Sequence, residues 1–564
     1  MDVQAVNMII GGEAGQGLIT IGQLLAKGLV RSGLEILVTQ SYLSRIRGGH
    51  NTFTIRCGRG PLLAPREPVD LLIAFDQETI TQHHRELVPG AVIVADATLF
   101  DGLNLAEATC LRVPFKDLSN PRYFNVVALG VAGAVLGLDR TVLQGAVESF
   151  FGKKHPEVAE DNRQALDGAY AWTLAQPQAV LKLPVASQTV QRLMINGNEA
   201  IALGAMAAGV KFCAFYPMTP STSVALTLAN QARRQGLVVE QAEDEIAAIN
   251  MAIGASFVGA PSMVTTSGGG FALMVEGVSL AAMTETPVVI VVAQRPGPAT
   301  GLPTRTEQAD LEMVLHAGHG EFPRAILAPG NPRECFHLTR QAFVWAERFQ
   351  GPMFVLTDQM LADCYQAVEP FDLEQAPPIR VGSEPGAVAV PYQRYAITAD
   401  GVSPRLLPGV SPHLVVADSD EHTEDGHLTE DLGVRQQMVE KRFRKLRGLL
   451  NEVIAPVYQG DGNPECLLVT WGSSNGAAQE AAAQLREAGK RVATLCFSQV
   501  WPLAPHQFLP YLQAAGEVIC VEGNATGQLA RLLRRETGFH IPRLVLRYDG
   551  LQITPDYILR ELKG

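Results

Sequence analysis

Apolar residues fall along this chain in two alternating rhythms. Short unbroken runs read as strands buried on both faces, and longer stretches with apolar positions every third or fourth residue read as helices with one buried stripe. VNMIIGG (6–12) is a strand running into a glycine turn, and LITIGQLLAKGLVRSG continues as a helix ending near Gly33. LEILVTQ, NTFTIRCG, VDLLIAF and AVIVADAT supply further strands. Strand alternating with helix predicts a doubly wound parallel sheet, because parallel strands need crossover connections. AQPQAVLKLPVASQ (175–188), rich in Pro, Ala and Gln, reads as a linker. A second α/β unit follows, with strands KFCAFYP, GLVVEQ, PSMVTTS, PVVIVVAQ, RAILAP and PMFVLTD. From 371 to 455 proline and acidic residues dominate, ending in an amphipathic charged helix, TEDLGVRQQMVEKRFRKLRGLL. A third unit carries strands ECLLVTWG, RVATLCFS, GEVICVEG and RLVLRYDG.

Composition narrows the setting. The 564 residues hold 45 Lys and Arg against 57 Asp and Glu, a formal net charge of −12, and no strongly basic tract of the kind a nucleic-acid binder needs is present in the sequence. Charged residues make up only 18% while 47% are hydrophobic, so much surface must be buried in cores or against other subunits. No apolar run reaches the roughly 18–20 residues of a membrane helix. The first residues, MDVQAVNMII, lack the basic segment and cleavage site of a signal peptide, and a cytoplasmic protein is expected. The eight cysteines stand far apart without a CxxC pair, which argues against a zinc site, an iron–sulfur cluster held by this chain, or a disulfide scaffold.

Several junctions carry candidate chemistry. GGEAGQG (11–17) joins strand to helix, where backbone N–H groups attract phosphate; it also suits a tight packing turn, and it is neither a Walker A loop nor a full GxGxxG. In FYPMTPST (215–222) two prolines hold a rigid turn at the carboxyl edge of a sheet, offering the hydroxyls of Thr219, Ser221 and Thr222 to a ligand or to a helix cap. VVEQAEDEIAAINMAIGASFVGA (238–260) puts Glu245 last among four acids before a helix apolar on nearly every side, predicted to be buried. A buried carboxylate there serves either the helix N-terminus or catalysis. TTSGGGFALM (265–274) is another strand–glycine–helix junction, and QRPGPATGLPTRTEQADL (294–311) is a proline- and glycine-rich loop whose Arg295 or Arg305 could hold a carboxylate. SDEHTEDGH (419–427), with His422 and His427, has no metal-ligand spacing and reads as a solvated acidic loop.

Taken together these motifs resemble the 2-oxoacid:ferredoxin oxidoreductases, specifically an α subunit with the γ domain fused at its N-terminus, over nearly the whole chain. GGEAGQGLITIGQLLA and SRIRGGHNTFTIRCG resemble the γ domain, MINGNEAIALGAMAAGVKFCAFYPMTPST the start of the pyrimidine-binding domain, and EGNATGQLARLLR (522–534) the C-terminal domain. The resemblance implies three doubly wound α/β domains: a γ domain at 1–185, a thiamine diphosphate pyrimidine-binding domain at 189–370 and, after a connecting segment at 371–455, a transketolase C-terminal-like domain at 456–564. It also implies that Glu245 contacts N1′ of the thiamine aminopyrimidine and favours its imino tautomer. Tyr216, Pro217, Met218, Ser267 and Gly268 would flank the cofactor. Arg295 would take the 2-oxoacid carboxylate, with Thr219 and Thr304 as hydrogen-bond donors, and Arg305 or a residue of a β subunit could read a second carboxylate. Gly460–Asp461–Gly462 has the letters of the Mg²⁺–diphosphate signature but lacks the paired asparagines and reads as a turn. Mg²⁺ and the [4Fe–4S] cluster are therefore expected on a separate β subunit, no metal on this chain, and an (αβ)₂ assembly. The wording of TGLPTRTEQADL looks most like the 2-oxoglutarate enzymes, which make succinyl-CoA with coenzyme A and ferredoxin, or run in reverse to fix CO₂ in a reductive citric-acid cycle. Pyruvate or branched-chain 2-oxoacids are the alternative substrates, and a non-catalytic nucleotide-binding regulator is the alternative of another class.

Overall fold

The computed structural model describes residues 5–43, 49–103, 105, 107–151, 156–176, 181, 183, 191–373 and 379–563. Most of the segment expected as the 175–188 linker lies outside the described residues, as does Ser44–Gly48 of the γ-like motif. The chain forms two compact units. One comprises residues 1–195 with 363–370 and 554–556, the other 196–362 with 371–553 and 557–564.

The α/β class holds in both. In the first unit eight strands run in the order Thr109–Val113, Leu87–Asp96, Val69–Ala74, Ala5–Glu13, His50–Gly58, Glu35–Ser41, Tyr365–Val368 and Leu193–Ile195. The all-parallel sheet expected from alternation is corrected here to a mixed one. Ala5–Glu13 pairs in parallel with Val69–Ala74, but His50–Gly58 is antiparallel to both of its neighbours. The physical reason lies in the length of the connection: residues 42–49 are fewer than the dozen or so a parallel crossover needs, so the chain can only double back. The helix Phe124–Val135 is buried from Val126 to Val135, and a methyl group on Gly130 would stand 2.6 Å from the Leu166 carbonyl oxygen, so glycine lets two helices touch there.

The second unit holds two sheets. A seven-stranded sheet orders Gln499–Trp501, Ala325–Leu327, Pro352–Asp358, Val288–Gln294, Ser262–Thr266, Phe212–Phe215 and Val238–Gln241. Its strands are parallel except Gln499–Trp501, which comes from the third sequence unit and pairs antiparallel on the edge. A five-stranded sheet orders Val457–Gln459, Val492–Phe497, Cys466–Trp471, Glu517–Glu522 and Arg543–Leu546. The core is continuous between them: Phe354 and Leu356 of the first sheet belong to one apolar cluster with Trp471, Phe497 and Val518 of the second.

The connecting segment corrects two expectations. The helix Leu432–Asn451 forms, but its buried stripe holds Lys441, Arg442 and Lys445 along with Met438 and Leu449. Lys441 Nζ meets Glu285 Oε1 at 2.5 Å with both side chains fully buried, and Lys445 pairs with the same carboxylate. Burial opposes ionisation of Glu285, but Lys445, Lys441 and Arg394 together hold its carboxyl well below the usual range. Nor is 419–427 simply a solvated loop. His422 is fully buried on the Tyr395 ring at a 3.9 Å centroid distance, and Glu421 binds both Arg435 and Arg442.

Candidate active site

Four neighbouring strands of the seven-stranded sheet end on one edge, and each leads into a residue singled out from the sequence. Phe212–Phe215 leads into Tyr216–Pro220, Val238–Gln241 towards Glu245, Ser262–Thr266 into Ser267 and Gly268, and Val288–Gln294 into Arg295. The carboxyl edge of parallel strands is where open α/β sheets bind ligands.

The proline turn is held from outside and from within. Asn198 Nδ2 donates to the Pro220 carbonyl and to Ser223 Oγ, each at 2.7 Å, and Ser221 Oγ donates to the Met218 carbonyl at 2.8 Å. The Ser221 hydroxyl is thus spent on the turn and not offered outward, which corrects that part of the expectation. Tyr216 is 40% exposed, while Met218 and Thr219 are half-buried.

Glu245 opens the helix Glu245–Phe257, capped by Asp244, whose side chain accepts from the Ala247 N–H at 2.7 Å. Glu243 is exposed. Glu245 itself is only 3% exposed, and its Oε1 is buried without a hydrogen-bond partner. The helix is not buried all round as expected. Ala248, Ile249 and Ala252 face the core, but Ile246 and Met251 are exposed.

The glycines after Ser267 explain how acids come so close to the helix Gly268–Met283. A methyl group on Gly270 would stand 2.4 Å from Glu245 Oε1, and one on Gly268 would stand 2.3 Å from Asp310 Oδ2. Two carboxylates therefore press on the first turn, where the helix dipole favours negative charge. Ser267 Oγ is also buried and unpartnered, as is Asp310 Oδ2.

Arg295 donates from Nη1 to the Thr219 carbonyl at 2.7 Å, which ties the loop to the proline turn. Burial lowers the Arg295 pKa, and the charge of Asp310 opposes that shift. Asp310 in turn is pushed up to about 6 by burial, with Arg295 pulling the other way. The structure so gathers Thr219, Glu245, Ser267, Gly268 and Arg295 at one sheet edge. Thr304 is half-buried further along the loop, and the Arg305 stem packs over Gly550, on the flank held by the five-stranded sheet. Asp310 was missed by sequence reasoning because its place before the helix Leu311–His316 looks like an N-cap, although its side chain caps nothing. An acid inside the proline–glycine loop was the signal available.

The chemistry of this set suits an aminopyrimidine cofactor: a buried carboxylate oxygen, Glu245 Oε1, lacks a donor, and a buried hydroxyl, Ser267 Oγ, is unpartnered at the same sheet edge. The family profile described as pyruvate flavodoxin/ferredoxin oxidoreductase, thiamine diphosphate-binding, matches residues 203–441, and that of pyruvate ferredoxin/flavodoxin oxidoreductase matches 7–172. The 2-oxoacid:ferredoxin oxidoreductase subunit alpha of a Sulfolobus species is 30% identical, with 97% of this chain and 94% of that protein covered. The 2-oxoglutarate oxidoreductase subunit KorA of Mycobacterium tuberculosis is 28% identical over 99% of this chain and 91% of its own length. The structure of 2-oxoglutarate:ferredoxin oxidoreductase from Magnetococcus marinus, with 2-oxoglutarate, coenzyme A and succinyl-CoA bound, superposes with a TM-score of 0.93 at 31% identity, covering 100% of this chain and 99% of that one.

Fold and site therefore define a subunit of a thiamine-diphosphate-dependent oxidoreductase. The chain belongs to the family of 2-oxoacid:ferredoxin oxidoreductase alpha subunits. That membership sets aside the non-catalytic regulator.

Proposed function

We propose that the 2-oxoacid is 2-oxoglutarate, converted with coenzyme A and two oxidised ferredoxins to succinyl-CoA, CO₂, two reduced ferredoxins and a proton, in either direction. The observation that carries this reading is the loop after Val288–Gln294, which presents Arg295 beside the site and a second cation, Arg305, further along. A dicarboxylate needs two such contacts, and the Magnetococcus enzyme is named for the same substrate.

Thiamine diphosphate, when bound, supplies the carbon nucleophile and electron sink for breaking the bond between the 2-oxo carbon and its carboxylate. Glu245, whose Oε1 is buried without a partner, is the residue that would hold a proton at the pyrimidine ring. Arg295, oriented by the Thr219 carbonyl, receives the substrate carboxylate through its remaining N–H groups, and Thr304 donates nearby. Tyr216, Pro217, Met218, Ser267 and Gly268 form the walls.

A β subunit completes the site with Mg²⁺ and a [4Fe–4S] cluster in an (αβ)₂ assembly. The exposed Ile246, Met251 and Leu273, all on helices that start at the site, offer it an apolar surface. A cytoplasmic setting accords with eight free cysteines.

The test uses the assembled complex with 2-oxoglutarate and pyruvate. Arg295→Ala should lower kcat/KM for both by on the order of 10²-fold, because both share the carboxylate. Arg305→Ala should hurt 2-oxoglutarate at least tenfold more than pyruvate. Equal losses for the two substrates would remove Arg305 from the distal site, and faster turnover of pyruvate by the wild type would replace 2-oxoglutarate as the substrate.

A further inference from the structure

The turn EGNATGQ (522–528) carries only a family resemblance in the sequence, yet Gly523, Asn524 and Gln528 each hydrogen-bond to the end of the loop that bears Arg295. Gln308 is 2% exposed. Its Nε2 donates to the Trp471 carbonyl at 3.0 Å, and its Oε1 accepts from Ser474 Oγ at 2.7 Å and from the Gly523 N–H at 2.9 Å. Its backbone N–H donates to the Gly523 carbonyl at 2.6 Å, and its carbonyl accepts from Asn524 Nδ2 at 3.2 Å. Gln528 adds a second clamp, donating to the Ala309 carbonyl at 2.7 Å and accepting from the Glu312 N–H at 3.0 Å.

The clamp is itself braced. Glu522, fully buried, accepts from Asn524 Nδ2 at 2.9 Å, from Trp471 Nε1 at 3.2 Å, and from the N–H groups of Leu529 and Ala530 at 2.8 and 3.0 Å. A surface that served only to bury area would need none of this. Buried polar groups that are all satisfied fix one arrangement and penalise every other.

Two residues beyond Gln308 stands Asp310, whose N–H donates to Gln294 Oε1 at 2.9 Å, closing the loop neck beside Arg295. We infer that Gln308 is a positioning residue for the 2-oxoacid carboxylate, through which the five-stranded sheet holds the neck of the loop bearing Arg295 and Asp310. The inference rests on the proposal that Arg295 receives that carboxylate. A misplacement of about 1 Å in such a group costs on the order of 10²-fold in rate.

The experiment compares wild type, Gln308→Ala, Gln528→Ala and Arg295→Ala in the complex with the β subunit. It reads kcat and KM for 2-oxoglutarate, and separately the exchange of the thiamine C2 proton without substrate. Gln308→Ala should lower kcat/KM about 10- to 100-fold, chiefly by raising KM, with C2 exchange within about threefold of wild type. Gln528→Ala, which leaves the Gln308 bonds in place, should move KM the same way by a smaller factor, and it carries the test if Gln308→Ala does not assemble. If both keep kcat/KM within twofold while Arg295→Ala loses 10²-fold, the positioning role is wrong and the carboxylate site stands. If Arg295→Ala is harmless, the carboxylate site itself is wrong. If C2 exchange falls as far as kcat/KM, the clamp is general scaffolding and the inference is overturned.

Discussion

Glu245 and Asp310 lie against the same helix start, Gly268–Gly270, and burial pushes the Asp310 carboxyl up to about 6 against the pull of Arg295. An ordinary Asp in the unfolded chain titrates near ~3.9. Above pH 6 the fold therefore carries a charge it disfavours, and the penalty is relieved as pH falls from 6 to 4. Asp310→Asn should accordingly raise stability by about 2 to 3 kcal/mol at pH 7.5, with most of the gain gone at pH 4.5. Thermal unfolding of the isolated chain at the two pH values checks this, and an equal gain at both would show that ionisation is not the cause. For Glu245 the informative comparison is with its neighbours. Glu245→Gln should slow thiamine C2 exchange in the complex by on the order of 10²-fold, while Glu243→Gln and Asp244→Asn change it less than threefold. Glu243 is exposed, and an asparagine in place of Asp244 can still accept the helix-capping hydrogen bond. Normal exchange in all three variants would take cofactor activation away from this chain. Glu245 was legible in the sequence because it is the last acid before an apolar helix. Asp310 was not, because its burial depends on Gly268, which belongs to a different strand–helix junction and meets it only in the folded sheet.

At the scale of elements, strands were legible where they are apolar on both faces, and Val288–Gln294 is buried throughout. The short strands Thr109–Val113, Leu193–Ile195 and Tyr365–Val368 escaped notice, since the first and last mix polar with apolar residues, the middle one has only three, and each forms by adding to a sheet built elsewhere. The helix Leu432–Asn451 was legible as a helix but not in how it docks. Its lysines are attracted inward by Glu285, an acid 156 residues from Lys441 that no periodicity marks. Removing one partner of a buried ion cluster leaves the others uncompensated, at a cost of about 3 to 5 kcal/mol. Glu285→Gln should therefore lower the Tm of the second unit markedly, while Glu430→Gln, just before this helix, leaves it within a degree or so. A Glu285→Gln protein melting with the wild type would mean that the cluster contributes nothing to docking.

At the scale of the whole molecule, the low charge content finds part of its explanation in the apolar residues left outside. Ile246 is 51% exposed, Leu273 51% and Met251 39%, on helices that begin at the candidate site. The chain purified without a partner should be colourless, with iron far below stoichiometric, and should not reduce viologen with any 2-oxoacid. Iron analysis and the viologen assay check this, and substantial turnover would return the missing machinery to this chain. The order of the three α/β stretches invites one to treat them as separable cassettes, and the strand Gln499–Trp501 argues against that. It belongs in sequence to the third stretch but caps the edge of the sheet built by the second, pairing with Ala325–Leu327. A protein cut at residue 455 would leave that edge bare, with unpaired N–H and C=O groups that template pairing with other chains. Any graft of a C-terminal module from a relative must bring its own edge strand in the right register, so these two stretches change partners together or not at all.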